Sequence, residues 1–267
     1  MREVWSSGWR WNTFLEVELA YLEALEEEGI APGGDASRIR ASVKMDPERI
    51  DELEGSLRHD VIAFLTHVEE QAGDVTRFVH FGLTSSDMLD TVSAIQLNQA
   101  CGYVREELSS LEKALMTQAD RHRKTAMVGR THGMHAEATS FGLVLLGWRE
   151  MVVRAMAGFD RAVEGIRFGK LAGAVGNLAF GDPEREARVL ARFGLKPEPA
   201  ATQIVARDRH ATLFSSMAVA GSVIDHIALN IRHLQRTEVG EAQEPFGGKQ
   251  RGSSAMPHKK NPIGCEN

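Results

Sequence analysis

The sequence predicts an all-α protein in which a small helical domain precedes a bundle of long helices. Apolar residues recur every three or four positions along three unusually long segments, the pattern of amphipathic helices. The segments between them, such as "VGRTHGMHAEATS" and "GKLAGAVGNLAFGDPE", are too rich in glycine or proline for a helix interior. No segment of strand length alternates apolar and polar residues well enough to compete. We therefore assign residues 1–84 to an N-terminal helical domain and residues 85–267 to the bundle.

The predicted N-terminal domain consists of short helices. The first lies in "WNTFLEVELAYLEALEEEG" and ends at Gly29. The second lies in "DPERIDELEG", where Asp46 is the expected N-cap and Pro47 the first helical residue. A third is expected in "RHDVIAFLTHVEEQAG", and the domain ends near Leu83.

The three long segments have apolar residues at heptad a and d spacing, which is typical of long helices that pack side by side. At about 1.5 Å per residue, a helix from Ser86 to Lys124 would reach roughly 58 Å. Such helices need partners along their whole length, so we expect a second chain to share the bundle. The seams are Leu97, Cys101, Val104, Leu108, Leu111 and Leu115; Phe141, Leu145, Trp148, Val152, Ala155, Phe159, Ala162 and Ile166; and Leu213, Met217, Ala220, Ile224, Ile227, Ile231 and Leu234.

The composition argues against several classes of protein. A formal net charge of -6 disfavours nucleic acid and anionic membranes as partners, because both attract cationic surfaces. Cys101 and Cys265 have no disulfide or zinc spacing, which fits a reducing cytosol. No apolar run approaches the ~20 residues of a membrane span, and the N-terminus lacks the apolar core of a signal peptide. We expect a cytoplasmic protein that binds an anionic ligand through a local cluster of Lys and Arg.

The last twenty residues, "GKQRGSSAMPHKKNPIGCEN", combine flexible backbone with positive charge. The pair Asn261 and Pro262 is expected to be an N-cap followed by the first helical residue. A serine among cations before a helix N-terminus is where an alkoxide is least unfavourable. The alternative is a mobile, solvated basic loop. The residues concerned are Gly247, Gly248, Gly252, Ser253, Ser254, Lys249, Arg251, Lys259 and Lys260.

Three other motifs carry residues suited to proton transfer or anion binding. His132 and His135 in "GRTHGMHAEATSFG" lack a third ligand at zinc spacing, so a proton-transfer role is favoured over a metal. A pair of hydrogen-bonded turn histidines is the alternative. "RHD" at residues 58–60 and "HFGLTSSDMLDT" at residues 80–91 combine histidine with acidic and hydroxyl residues. The second precedes a helix and suits an anion, or is a plain N-cap run with Asp87 in the first turn.

Together these motifs resemble those of the fumarase/aspartase superfamily, all-α homotetramers that eliminate fumarate from a succinyl substrate. "GSSAMPHKKNP" is similar to the superfamily's signature loop. The other motifs, in order along nearly the whole chain, resemble the adenylosuccinate lyase family within it. They are "RHDV", "HFGLTSSD", "GRTHGMHAEATSFG", "GKLAGAVG" and "TQIVARDRHA". The resemblance implies cleavage of adenylosuccinate to AMP and fumarate, with no metal or redox cofactor.

The resemblance also implies roles for individual residues. Ser253 is the expected general base that removes the Cβ proton of the succinyl group, and His132 the general acid that protonates the leaving nitrogen. Glu266 orients His132, and His59 joins the catalytic set near the phosphate and purine end of the substrate. The implied substrate-binding residues are Arg58, Asp60, His80, Thr84, Ser85, Ser86, Asp87, Thr131, Gln203, Arg207, Lys259 and Asn261.

The same resemblance raises an expectation about assembly and length. In the superfamily each active site takes motifs from three subunits of a tetramer. Members normally continue for over a hundred residues beyond "CEN", so we expect a fragment that lacks two bundle helices and a C-terminal domain, and that alone is loosely oligomeric and has little activity. Ala138 replaces a common proline in "HAEAT" without expected consequence. The alternatives are another fumarate-releasing lyase, such as one like argininosuccinate lyase, and a truncated, non-catalytic helical assembly protein.

Overall fold

The computed structural model describes residues 1–256 and 258–267 and is mostly helical. Pro257, inside the predicted signature loop, lies outside the described residues. Eight α-helices occur in the described ranges. They are α1 (Ser7–Glu27), α2 (Asp35–Ser42), α3 (Pro47–Leu57), α4 (Asp60–Ala72), α5 (Ser85–Arg121), α6 (Phe141–Ile166), α7 (Pro183–Ala191) and α8 (Asp208–Leu234). The predicted all-α fold class is confirmed.

The short helices begin where capping residues satisfy their free N–H groups. Ser6 accepts a hydrogen bond from the Trp9 N–H at the start of α1. Asp46 caps α3 ahead of Pro47, as predicted. Helix α7 begins in the same way, with Asp182 as its cap. The glycine-rich composition of "GKLAGAVGNLAFGDPE" predicted a loop for that aspartate and the proline after it, and α7 and α2 were not predicted.

The three heptad segments form the long helices α5, α6 and α8, which confirms the predicted seams as helical. Along α6, seven of the eight seam residues are buried, from Leu145 to Ile166. Seam residues of α5 and α8 are buried or half-buried except Ile224, which is 47% exposed. The apolar period therefore identified both the helices and most of their covered faces.

The expected absence of strands is wrong for residues 126–140. Strands β1 (Ala126–Thr131) and β2 (Met134–Ser140) form an antiparallel hairpin that contains "GRTHGMHAEATS". Thr131 pairs with Met134, so His132 and Gly133 form a two-residue turn, and both have positive φ, 57° and 78°. This is the backbone of a hairpin turn of the primed type. Most residues of the hairpin are at least half-exposed, so the strands lack the strong alternation that sequence analysis relies on. A second, parallel pair joins β3 (Phe168–Gly169) to β4 (Lys196–Pro197).

The chain divides into two compact units by its internal contacts. Unit 1 comprises Met1–Val104 and Ala162–Leu213, and unit 2 comprises Arg105–Arg161 and Phe214–Asn267. The division predicted from sequence, at residue 84, remains a prediction. The core of unit 1 lies around α1, where Trp11 and Phe14 pack against Phe64 of α4 with ring centroids 5.8 and 5.5 Å from it.

Helix α8 is more apolar than expected from a sequence in which no apolar run approaches the length of a membrane span. Within the described residues it is the one helix whose length and composition would suffice to cross a membrane. Such a test also selects helices that are covered by other protein. Asp225 lies near its middle, and several of its large apolar side chains are exposed, including Phe214, Val219 and Leu229.

Candidate active site

The predicted site residues fall into two sets, one in each compact unit. The unit-1 set lies in loops and helix starts. Its members are Arg58, His59, Asp60, His80, Thr84, Ser85, Ser86, Asp87, Gln203 and Arg207. The unit-2 set lies in the hairpin turn and the C-terminal loop, and comprises Thr131, His132, Ser253, Lys259, Asn261 and Glu266.

In unit 1 the "RHD" and "TSSD" segments meet. His59 is the N-cap of α4, and its Nε2 lies 3.4 Å from the Ser85 hydroxyl at the start of α5. Asp60 accepts a 2.9 Å hydrogen bond from Arg10, whose guanidinium lies over the Trp11 ring. Two motifs whose contacting residues are 26 positions apart in sequence therefore share one surface, as the predicted site requires.

His80 is held by a buried carboxylate of α1. The His80 Nδ1 lies 2.6 Å from one oxygen of Glu18, and the His80 backbone N–H donates to the other at 2.9 Å. The Glu18 side chain is fully buried, and that of His80 is 16% exposed. Burial alone would lower the pKa of His80, but the hydrogen bond to Glu18 and the nearby negative charges raise it overall.

Asp87 is fully buried, and its carboxylate is used within unit 1. It accepts from the Thr84 N–H at 2.8 Å, while the Asp87 N–H donates to the Thr84 backbone carbonyl at 2.9 Å at the start of α5. It also forms a short ion pair with Lys170 and accepts N–H groups of Ala172 and Gly173 at 3.1 and 3.0 Å. Asp87 therefore lies in the first turn of α5, as the capping alternative expects, and a substrate contact for it remains a prediction.

Arg207 is paired with an aspartate that the sequence analysis did not select. Its guanidinium donates to both oxygens of Asp90 at 3.0 and 2.8 Å, while Asp90 also accepts the Val205 N–H at 2.7 Å. The Arg207 side chain is still 51% exposed. Gln203 is exposed on the same segment. This segment passes close to Gly176, where any Cβ would collide with the Ala201 carbonyl.

In unit 2, His132 stands at the tip of the hairpin. Its side chain is exposed, and among residues 1–256 and 258–267 it has no hydrogen-bond or ion-pair partner. The hairpin itself is tied to the loop after α8 by Arg130, which donates to both oxygens of Glu241 at 2.7 and 2.9 Å. Thr131 and His132 therefore project from an anchored base and remain available to a ligand.

Ser253 lies in the C-terminal loop with its hydroxyl oxygen near two backbone donors. The N–H groups of Ala255 and Met256 lie 3.3 and 3.2 Å from its Oγ. N–H groups that donate to an oxygen stabilise negative charge on it. Gly252 is buried against the backbone of Lys259, so a side chain at that position would prevent the loop from folding back.

Three members of the unit-2 set line a cavity of about 640 Å³. Lys259, Asn261 and Glu266 share it with cationic side chains of α8 and of the loop, among them Arg232, Arg236 and Lys260. Its size is that of a typical small-molecule site. Glu266 lies 3.9 Å from Arg232, and among the described residues it has no contact with His132.

Gln235 and Glu244 hold the ends of the C-terminal loop. Gln235, just beyond α8, donates to the Lys260 carbonyl at 3.2 Å. Glu244 accepts the N–H groups of Gly264 and Cys265 at 3.0 and 2.8 Å. The helix expected to begin at Asn261 is a single 3-10 turn, Ile263–Cys265. Burial, together with the carboxylate of Glu244, raises the pKa of the Cys265 thiol to about 11.

Positive φ angles cluster at the predicted motifs. Among residues 1–256 and 258–267, four residues other than glycine have φ above zero, and Leu178 is one of them. The other three are Arg58, His80 and His132, at 57°, 62° and 57°. Such conformations are costly for side chains larger than glycine and concentrate at functional sites.

Several residues that hold the site were not found from sequence, and four of them make contacts with the motifs or the loop that carry it. They are Glu18, Asp90, Lys170 and Glu244. Glu18 had a detectable signal, since it is a lone acid on the apolar face of α1. Lys170 is the one charged residue in "GKLAGAVG". For metal binding, no group of three or more His, Cys, Asp or Glu with suitable geometry occurs in the part of the chain that the structure describes.

Comparison with known proteins defines the class. A sequence profile of the Lyase_1 family, described as lyase, matches residues 31–267. The chain therefore belongs to this lyase family, within the fumarase/aspartase superfamily. The structure resembles the crystal structure of a fumarate lyase from Mesorhizobium sp. BNC1 with a TM-score of 0.87 at 27% identity, over 100% of this chain and 60% of that one.

Two similar curated relatives are adenylosuccinate lyases. That of Thermotoga maritima is 48% identical over 266 residues, and that of Synechocystis sp. is 46% identical over the same length. Each match covers 100% of this chain and 62% of the relative. The chain thus spans less than two thirds of the length of these relatives. The resemblance predicted from the motifs is confirmed.

Proposed function

We propose that the protein carrying this sequence is an adenylosuccinate lyase, which eliminates fumarate from adenylosuccinate to give AMP, and from the related succinylocarboxamide ribotide to give its carboxamide. The observation that carries the proposal is 48% identity to a curated adenylosuccinate lyase over the whole chain. The lyase family and the 640 Å³ cationic cavity support the same reaction class. The argininosuccinate lyase alternative and the non-catalytic assembly alternative are not favoured.

In the proposed reaction Ser253 removes the Cβ proton of the succinyl group. Loss of that proton places additional negative charge on the adjacent carboxylate, so fixed cations and N–H dipoles lower the barrier most. Lys259 is the cation assigned to this carboxylate, with Asn261 and Gln203 as further contacts. The two backbone N–H groups near the Ser253 oxygen support its role, because they stabilise the alkoxide that acts as base.

The carbon–nitrogen bond then breaks, and its electron pair goes to the leaving nitrogen, which needs a proton. His132 is the proposed donor, since imidazole exchanges protons near neutral pH. Its exposure at the hairpin tip supports this role. Glu266 is the proposed partner that orients His132. In a tetramer the two residues can meet from different subunits.

The unit-1 set is proposed to bind the phosphate and purine end of the substrate. His59, His80 and the start of α5 supply imidazole, hydroxyl and free N–H groups, which suit an anion. Arg58, Asp60 and Arg207 of the same set are further proposed contacts, as is Thr131 of the hairpin. No metal or redox cofactor enters the proposed reaction.

We further propose a homotetramer in the cytoplasm, whose active sites draw residues from several subunits. Exposed apolar side chains on the long helices support this assembly, because they require cover. Leu143 of α6 is 62% exposed, and Phe214 and Val219 of α8 are 53% and 57% exposed. Helix–helix contacts with other copies would cover α8 without a membrane.

A substrate panel tests the proposed function. The protein is incubated separately with adenylosuccinate, argininosuccinate, aspartate and malate, and fumarate release or consumption is measured. We expect turnover of adenylosuccinate alone. Turnover of argininosuccinate in its place would contradict the proposal, and so would binding of adenylosuccinate without elimination under any condition in which the Thermotoga maritima enzyme is active.

A further inference from the structure

Glu18 is a buried carboxylate in a position that packing alone does not explain. It lies on α1 between Val17 and Leu19, both fully buried, and its own side chain has no exposed surface. Burial of a carboxylate costs several kcal/mol unless strong hydrogen bonds compensate for it. Both Glu18 oxygens receive their hydrogen bonds from a single residue, His80.

His80 is held at two points, its ring and its backbone. The ring Nδ1 meets one oxygen at 2.6 Å, and the backbone N–H meets the other at 2.9 Å. The backbone at His80 is also in the left-handed region, with φ of 62°. A residue that is not glycine keeps this conformation only where its surroundings enforce it. The Glu18 carboxylate is the group that does so here.

We propose that Glu18 is a positioning residue for His80, which keeps the proton of the ring on Nδ1 and directs Nε2 toward an anionic group of the substrate. The second half of this inference rests on the proposed function, because the anion is the phosphate of the proposed nucleotide. Among the described residues, His80 Nε2 has no hydrogen-bond partner, and the side chain retains 16% exposure through which a ligand can reach it.

The charged groups around His80 favour the same arrangement. Glu18 faces it from α1, and Asp87 lies near it from α5, with Lys170 neutralising Asp87. Tyr21 and Glu186 are further titratable groups close to these charges. Arg185 donates to the Tyr21 hydroxyl, and Glu186 accepts the Leu171 N–H. A histidine whose Nδ1–H donates to a carboxylate gains an Nε2–H when the ring is protonated, and it then presents a cationic donor to an anion.

A purely structural role is the competing explanation, in which Glu18 only secures the loop at His80. A readout on the imidazole itself separates the two. Free histidine favours the Nε2–H tautomer, so a neutral His80 with its proton on Nδ1 reports the constraint directly. The substitution Glu18→Gln preserves shape but removes the charge and one of the two acceptor oxygens. Glu26→Gln is the matched control, because Glu26 lies on the same helix and accepts the Ala36 N–H.

The experiment is a nitrogen-15 NMR titration of the histidine rings in the 267-residue chain, with His80→Asn used to assign the His80 signals. We expect Nδ1–H in the unsubstituted chain and in Glu26→Gln, and a shift to Nε2–H with a lower pKa in Glu18→Gln. An Nε2–H tautomer in the unsubstituted chain would overturn the positioning role, and so would an unchanged tautomer in Glu18→Gln.

Inorganic phosphate is the probe for the second half. Its addition should shift the His80 Nε2 signal in the unsubstituted chain, with an apparent affinity about tenfold lower in Glu18→Gln, as for loss of one charge-assisted hydrogen bond. In turnover assays Glu18→Gln should raise KM more than it lowers kcat. If phosphate does not shift the His80 Nε2 signal in the unsubstituted chain, the assignment of an anion to Nε2 is overturned. If His80 shows the expected tautomer but the protein carrying this sequence does not turn over adenylosuccinate, the proposed function is contradicted and the positioning role stays intact.

Discussion

The two sets of candidate residues differ in how firmly the chain itself holds them. In unit 1, the carboxylates of Glu18 and Asp90 hold His80 and Arg207, and Lys170 with two backbone N–H groups holds Asp87. In unit 2, His132 is exposed and unpartnered within the described ranges, and Ser253 touches only backbone N–H groups of its own loop. The fold therefore preorganises the first set, whereas His132 and Ser253 of the second set are held by fewer contacts within the described residues.

The largest expected effect belongs to the unit-2 set. Ser253→Ala should lower kcat by at least about 100-fold, because general bases typically contribute 10²–10⁴ to rate. Adenylosuccinate should still bind, and the free energy of unfolding should change little, since Ser253 is not part of a buried network. Fumarate release and substrate affinity measured on the same samples test this. Near-normal turnover would move the base elsewhere, with Ser254→Ala as the next variant.

A second prediction concerns stability in unit 1. Lys170→Met should destabilise the protein by about 3–5 kcal/mol, because it leaves Asp87 buried and unpaired. The double variant Lys170→Met, Asp87→Asn should lose less than the sum of the single losses. Urea unfolding measures both. Arg105→Met is the control, since the Arg105–Asp160 pair is exposed and should contribute at most about 1 kcal/mol. If Lys170→Met and Arg105→Met lower the free energy of unfolding equally, the predicted difference between the buried and the exposed ion pair is wrong.

A third prediction tests whether His132 and Glu266 act as a unit across the assembled protein. His132→Gln and Glu266→Gln should each lower kcat, and the double variant should be little worse than either single one. Such non-additivity is expected where loss of one partner already disables the other. The test is the measurement of kcat for the unsubstituted protein, the two single variants and the double variant. Additive losses would show that Glu266 has a separate function.

The smallest expected effect is the pH dependence of the His80–Glu18 pair. The folded pKa of His80 is raised above its ordinary value of 6.5, chiefly by the Glu18 hydrogen bond acting against burial. Its contribution to stability is therefore complete below about pH 6.5 and is lost as pH rises through the folded pKa. Urea unfolding between pH 5.5 and 8.5 should show this loss, and Glu18→Gln should remove it. If the difference in the free energy of unfolding between the unsubstituted protein and Glu18→Gln does not change with pH, the raised pKa of His80 is not due to Glu18.

The fold could be predicted from the sequence where apolar residues recur with a regular helical period. The apolar period predicted α5, α6 and α8 because each buries a continuous stripe. It missed the hairpin at residues 126–140, where exposed strands have no such stripe and the backbone depends on two positive φ angles. It also selected Asp87 and Arg207 by motif, but their partners Lys170 and Asp90 lie 83 and 117 positions away in sequence. Pairings of that range depend on the tertiary fold, which local pattern does not encode.

The contact between Glu244 and Cys265 has a practical consequence for chemistry in solution. With a thiol pKa of about 11, Cys265 is almost entirely in the thiol form at neutral pH. Cys101 is buried, and burial raises its thiol pKa as well. Alkylating reagents should therefore react slowly with the protein at neutral pH while the C-terminal loop stays closed. Any event that releases Glu244 from Cys265 would accelerate labelling there, so the native cysteine serves as an intrinsic reporter of loop opening.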